Sequence, residues 1–431
     1  MKLLLAGLLS LVFVSAMGQT LTLNDLLNMA DTANPTLRNS RLDIDINAVQ
    51  KKAYLSSRLP RLSATGDYKY NAIIPGQIVP ADFFGGPPGT YAQVKFGVPY
   101  NLSNSLQLTQ VLYNPQLNFG LSALDINQQI VELQYQVAQQ EVKSQIANTY
   151  FGLQAVSKQI EYLKMNVKNI DQLIQNMELL YQQGLVIPTE TDKLRINKIS
   201  LENAILKLEN TKLQLQSLLK ILVGMDDKSP MNVEDDQVIQ QSLLVDKTTI
   251  NRPELALINA QKQMNDEETK GNKMAYLPSL NFYASYNYNY NMKPADDIRI
   301  GISSAFLGLR LDWTLFDGFE KHNKIKMNAM NKEKLETQEQ LVTNQMNLAT
   351  QNAEREITLQ TSNLSLSQEQ LRLSQKVFET SEAQFKAGTI GTNELLQSEN
   401  ALEQAQSNVV SAYLQLRQAE LSFLKSISSI K

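Results

Sequence analysis

Residues 150–184 read YFGLQAVSKQIEYLKMNVKNIDQLIQNMELLYQQG. Leu153, Ile160, Val167, Ile174 and Tyr181 fall seven apart, and Tyr150, Val156, Leu163, Ile170 and Met177 form a second apolar row between them. Alternating steps of three and four keep both rows on one side of an α-helix, which is the coiled-coil pattern. No proline occurs from Gln116 to Gln182, so the helix extends back to about residue 116. At about 1.5 Å per residue its length is roughly 100 Å. Gly184 and Pro188 break the pattern, and Leu194, Leu201, Leu208, Leu215 and Leu222 resume it. The stretch 116–224 therefore reads as a helical hairpin with its turn near Gly184.

The hairpin occurs twice. Ile357, Leu364, Leu371, Phe378 and Phe385 lie 204 residues after the first five apolar positions, and Gly388 lies 204 after Gly184. Leu395, Leu402, Val409, Leu416 and Phe423 carry the return helix of a second hairpin, 319–427. An internal repeat at fixed offsets is a duplication. The first copy covers 19–224 and the second 251–431, with an acidic connector, 225–250, between them.

Ahead of each hairpin the period changes from seven to two. Leu62, Ala64, Gly66, Tyr68 and Tyr70 alternate with Ser63, Thr65, Asp67 and Lys69. This predicts a strand over about 62–73 with one apolar and one polar face. A second strand over 101–113 puts Leu102, Leu106, Leu108 and Leu112 on one parity. Residues 74–99 between them, rich in proline and glycine, read as a long loop. The second copy predicts strands over about 279–290 and 302–315, with Tyr286, Tyr288 and Trp313 on the apolar parity. Ahead of these strands, Thr22–Ala33 reads as a short helix capped by Thr22 or Asn24. Pro35 opens another, through Leu37, Leu42, Ile46 and Val49. Pro253 and Pro278 repeat Pro35 and Pro60 at an offset of 218.

Strands with one aromatic-rich apolar face fit a transmembrane β-barrel. Four strands cannot close one, because about eight is the practical minimum, and an open edge cannot face lipid. The barrel must then be shared between subunits. Tyr68, Tyr70, Tyr286, Tyr288 and Trp313 are the candidate membrane-interface aromatics.

Composition narrows the function. The 431 residues contain no cysteine, one histidine and a formal net charge of −3. There is no disulfide, thiolate metal site or basic footprint for nucleic acid. His322 stands alone in a lysine-rich helix start, and no catalytic triad, phosphate loop or metal-ligand spacing occurs, so no enzyme activity, cofactor or metal is expected. Lys2, the apolar run Leu3–Val14 and Ala16-Met17-Gly18 form a secretory signal peptide over 1–18. No apolar run is long enough for a transmembrane helix.

The duplicated plan, the Leu-Pro-x-Leu lead-in to strands one and three, and the turn motifs Gln183-Gly184-Leu185 and Ala387-Gly388-Thr389 resemble the TolC family of outer-membrane efflux and secretion channels. The resemblance covers nearly the whole mature chain. It implies a homotrimer whose twelve pooled strands form one barrel in the outer-membrane lipid of a Gram-negative bacterium. Long antiparallel coiled-coil helices would form an α-barrel in the periplasm. It also implies a passive exit duct for a tripartite efflux or type I secretion system, supplied by an inner-membrane pump and opened by a periplasmic adaptor protein. The competing reading is a coiled-coil scaffold or adhesin without a pore.

By the same resemblance the two helix turns, with Gly184, Leu185, Gly388 and Thr389, dock the adaptor. Small residues there let another helical hairpin approach closely. The family narrows its tunnel with acidic side chains six and nine residues after the second turn glycine. Here those positions hold Glu394 and Gln397, one acid and one amide. Three copies of Glu394 around an axis would make a negative ring. Glu190 takes the matching place in the first copy and is expected to hydrogen-bond across hairpins.

Overall fold

The structure is a computed structural model that describes residues 20–184, 186–233 and 252–430. The expected signal peptide lies outside the described residues, as do Leu185 and most of the connector. In chain order the elements are β1 (Thr20–Leu21), α1 (Leu23–Ala33), α2 (Pro35–Ser56), β2 (Arg61–Tyr70), β3 (Gly76–Pro80), β4 (Tyr91–Lys95), β5 (Tyr100–Tyr113), α3 (Pro115–Gln182) and α4 (Pro188–Val223). They continue with β6 (Asn232–Val233), α5 (Pro253–Met274), β7 (Ser279–Lys293), β8 (Ile298–Asp312), α6 (Glu320–Lys386) and α7 (Thr392–Ser426). The fold is mainly helical with a β part, as the periodicities require.

These elements pack as two compact units. One takes the described parts of Met1–Asp43, Val131–Ile258 and Thr337–Lys431, and the other takes Ile44–Ile130 and Asn259–Glu336. The division cuts across the sequence repeats: each unit contains pieces of both copies.

In the first unit the heptad residues form the core. Ile160, Leu163, Ile170, Leu173, Ile174 and Met177 of α3 pack with Leu194 and Leu201 of α4, Phe378 of α6, and Leu395 and Leu402 of α7. Both hairpins thus contribute to one hydrophobic cluster, and burying each such side chain is worth about 1.5–3 kcal/mol. A second cluster seats α1, through Leu26, Leu27 and Ala30, against Ile146, Tyr150 and Leu153 of α3 and Leu219 and Val223 of α4. Thr22 starts α1 with a capping box: its hydroxyl accepts from the Asp25 N–H, and the Asp25 carboxylate accepts from the Thr22 N–H. Where the connector is described, Asn232–Val233 pairs in parallel with Thr20–Leu21.

In the second unit the four strands form one antiparallel sheet in the order β2-β5-β7-β8. The register joins the apolar parities: Leu62 faces Leu108, which faces Ala284, which faces Leu307. Tyr68, Leu102, Tyr290 and Gly301 form another such row. Because side chains alternate faces, in-register pairing gathers most of the leucines and tyrosines on one side and most of the polar residues, with Tyr283, on the other. Among the described residues the sheet's two outermost strands, β2 and β8, each have one unpaired edge.

One local reading needs correction. Residues 74–99 are not a plain loop: β3 and β4 pair as a hairpin, joined through a short 3-10 turn at Ala81–Phe84. Its five-residue strands contain Gly76 and Pro80, which hid them. On α2, Leu37 is buried, but Leu42, Ile46 and Val49 are exposed, and the side chain that turns inward instead is Asn47.

Candidate functional site: the helix turns and the channel wall

Both turn glycines adopt a left-handed backbone, Gly184 at φ +73° and Gly388 at φ +72°. Each ends a helix whose last turn closes onto it: the Gly184 N–H donates to the Tyr181 carbonyl, and the Gly388 N–H to the Phe385 carbonyl, both at 2.9 Å. Thr389 stays on this cap, with its N–H and hydroxyl donating to the Gln384 carbonyl at 3.0 and 2.9 Å. A Cβ built on either glycine meets no atom within 4 Å. Backbone conformation, not crowding within the chain, asks for glycine here.

Just after the turns, α4 and α7 begin with Glu190 and Glu394 in their first turns. Glu190 accepts from Lys193 Nζ at 2.9 Å. The hydroxyl of Thr392, a buried residue at the start of α7, also favours the charged form of Glu190. The Lys193 ammonium first, and the Thr392 hydroxyl second, hold the Glu190 carboxyl below the usual carboxylate range. Glu190 of the first hairpin and Thr392 of the second are thus neighbours at the turns of one chain. Glu394 and Gln397 are exposed and make no hydrogen bond or ion pair among the described residues.

Further along α7 lies a polar row that the sequence reading passed over. Glu399, Gln406, Tyr413 and Glu420 fall seven apart and are all buried. Glu399 is 3% exposed; its Oε2 accepts from Asn197 Nδ2 of α4 at 3.3 Å, while Oε1 has no partner. Burial, and next the neighbouring charge of Glu403, push the Glu399 carboxyl up to about 7. Gln406 pairs with the buried Asn166 of α3, whose Nδ2 donates to its Oε1 at 2.9 Å. Glu420 holds Arg417 at 2.6 Å, and the guanidinium lies over the rings of Phe151 and Tyr413. The signal was available: each of the four sits four residues after a core apolar position, Leu395, Leu402, Val409 or Leu416.

On the sheet, Tyr68, Tyr70, Tyr286, Tyr288 and Trp313 are all exposed. Strand parity places the four tyrosines on the apolar face. Tyr100, missed from sequence because it follows Pro99, stacks between Tyr68 and Tyr70 at centroid distances of 6.4 and 4.9 Å. The Trp313 indole N–H donates to the Tyr276 carbonyl at 3.0 Å. The opposite face is amide-rich: Asn71 Nδ2 donates to Asn101 Oδ1, and Asn101 Nδ2 to Asn291 Oδ1. No helix among the described residues is long and apolar enough to cross a membrane, and none of their acidic and histidine side chains cluster as a metal site.

A four-stranded sheet with one apolar face, in a chain that also carries two coiled-coil hairpins, is the pattern of an outer-membrane channel subunit. Residues 26–224 and 244–427 match the sequence model of the outer membrane efflux protein family, and the chain belongs to that family. It is 24% identical over 345 residues to Outer membrane protein TolC of Salmonella enteritidis, covering 75% of this chain and 65% of that relative's length. Among solved structures, CusC superposes with a TM-score of 0.74 at 15% identity, covering 94% of this chain and 91% of the other. The Campylobacter jejuni CmeC outer membrane channel gives 0.72 at 15% identity, covering 94% and 85%. The Neisseria gonorrhoeae MtrE outer membrane channel gives 0.73 at 13% identity, covering 95% and 89%. That family places the chain in the outer membrane of a Gram-negative bacterium.

Proposed function

We propose that three copies of this chain pool their sheets into one twelve-stranded barrel, above a periplasmic tunnel built from their helices. The assembly is the passive exit duct of a tripartite efflux or type I secretion system. The observation that carries this reading is the sheet itself: four strands with an in-register apolar face and an unpaired edge at β2 and at β8. Such edges cannot face hydrocarbon, and four strands are too few to close alone. Joining β8 of one copy to β2 of the next satisfies both edges.

The helices support the same assembly. Ile199, Leu206 and Leu213 on α4, and Leu359, Leu366 and Leu373 on α6, form exposed apolar rows of period seven. A lone chain leaves these coiled-coil seams open, and a neighbouring copy can fill them. The turns at Gly184 and Gly388, with Leu185 and Thr389, form the adaptor-docking tip, and an inner-membrane pump supplies the energy. Three Glu394 side chains, flanked by Gln397, make the gate ring, and the Glu190–Thr392 contact holds each pair of hairpins in the closed arrangement.

Size-exclusion chromatography with light scattering on detergent-extracted protein, followed by planar-bilayer recording, tests the proposal. A trimer with stable single-channel conductance is expected. A monomer, or a trimer that conducts nothing, would refute the duct and favour a scaffold.

A further inference from the structure

The polar face of the sheet carries a feature that exit through a neutral pipe does not require. Where the end of α2 meets the sheet lies a cavity of about 780 Å³, lined by Arg61, Gln107, Asn281, Tyr283 and Arg310 together with the apolar Leu59 and Phe282. Arg61 opens β2, and Arg310 lies in β8 opposite Asn281, so the two sequence copies each contribute one arginine to the lining of the same cavity. Neither arginine has an ion-pair partner among the described residues. Arg310 lies over the Tyr283 ring, 5.6 Å from its centroid. Asp312, the carboxylate in the lining, is instead approached by Asn281 Nδ2 at 3.5 Å.

Two unpaired guanidinium groups beside an aromatic ring and amide donors suit one ligand chemistry. Guanidinium binds carboxylate, sulfonate or phosphate through paired N–H donors, and the ring and apolar lining suit a planar hydrophobic body. The geometry points to a binding station for amphipathic organic anions on the inner wall of the barrel, at its junction with the helices. As a station on the exit path it rests on the duct reading. As a binding site it stands on the cavity of a single chain.

The test is a fluorescence titration of the detergent-purified full-length protein with 1-naphthalenesulfonate, with 1-naphthylmethylammonium as the probe of opposite charge. Saturable binding of the sulfonate and none of the ammonium is expected. Arg61→Gln with Arg310→Gln should weaken the sulfonate about tenfold or more, the loss expected for charge-assisted contacts. Arg61→Lys with Arg310→Lys, which keeps the charge but loses the paired donors, should bind the sulfonate more weakly than the parent and more tightly than the glutamine variant. Equal binding of both probes, or sulfonate binding unchanged in the glutamine variant, would overturn the site. Bilayer recording separates the two proposals: sulfonate binding without any conductance keeps the site and removes the duct.

Discussion

Asn47 and Asn265 stand 218 residues apart, yet each is buried and each donates from Nδ2 to a backbone carbonyl of the neighbouring long helix. The acceptors are Leu124 at 3.3 Å and Asn328 at 3.0 Å, themselves 204 apart. The duplication is therefore kept at the level of single hydrogen bonds, and the shorter helices α2 and α5 are seated on α3 and α6 by the same device. Asn47 adds a bond to Gln128 Oε1 at 2.8 Å and accepts from Asn127 at 2.6 Å. Replacing Asn47 or Asn265 by alanine leaves buried polar groups unsatisfied and should cost about 1–3 kcal/mol each. Thermal melts of the detergent-solubilised protein followed by circular dichroism measure it, with Asn47→Ala expected to be the more damaging.

Glu399 makes stability depend on pH. Its carboxyl is raised from an ordinary value of 4.5 to about 7, by burial and then by Glu403, whose own carboxyl burial also raises. Facing it, α4 offers only the neutral Asn197, while Lys198 beside that residue is taken by Asp171 and Glu202. A folded-state acid pKa above the unfolded one favours folding fully below pH 4.5 and loses that contribution as pH climbs towards 7. The swing is at most about 3 kcal/mol. Glu399→Gln should flatten the decline in stability between pH 5 and pH 8. A slope as steep as that of the unchanged protein would remove Glu399 as its source.

At the turns, steric room and backbone conformation can be separated. Gly388→Ala introduces a Cβ that meets nothing in the chain but must sit at φ +72°, a cost of about 1 kcal/mol. Folding should survive, with a slightly lowered melting temperature. Cross-linking to the adaptor in cells should fall sharply for Gly388→Val and for Gly184→Val, because the added side chain stands where the partner approaches. Undiminished cross-linking would take the docking role from these turns.

The exposed heptad rows predict how the assembly fails. Leu206→Glu or Leu366→Glu puts a charge on a side chain that is 66% or 70% exposed in the single chain. Neither change should disturb the chain's own core. Burying that charge between copies costs several kcal/mol, however. Light scattering should show loss of the trimer with the helical circular dichroism intact.

For the gate, Glu394→Ala should lengthen single-channel openings, since it removes the ring charge without touching a hydrogen bond of its own chain. Gln397→Asp should add a second acidic ring and strengthen block by divalent cations added on the periplasmic side. Recordings in which neither variant differs from the parent would place the constriction elsewhere.

The helices were legible because a coiled-coil seam writes its contacts directly into the spacing of apolar residues, and Leu395, Leu402 and Val409 are buried as that spacing demands. The strand faces were legible for the same reason at period two. Their ends were less so: β8 begins at Ile298 because its ladder follows β7 out to Lys293, and there Ile298, Ile300 and Ile302 alternate on the parity opposite to that of Leu307, Leu309 and Leu311. The Glu399–Gln406–Tyr413–Glu420 row escaped because a seam was sought among apolar residues only, whereas polar groups can occupy core positions when partners such as Asn197 and Asn166 reach them. The cavity beside Arg61 and Arg310 could not be read at all, since nothing in the chain order says that residues of β2 and β8 line one cavity.

The free margins of β2 and β8 also bear on how the protein is made. If copies pool their sheets as proposed, a chain on its own has nowhere to hide those backbone groups in lipid, so insertion should wait until copies meet, and its rate should climb steeply with their concentration. The same margins leave maturation open to poisoning: a short peptide copying β2 could occupy the margin of β8 and stall the ring before it closes.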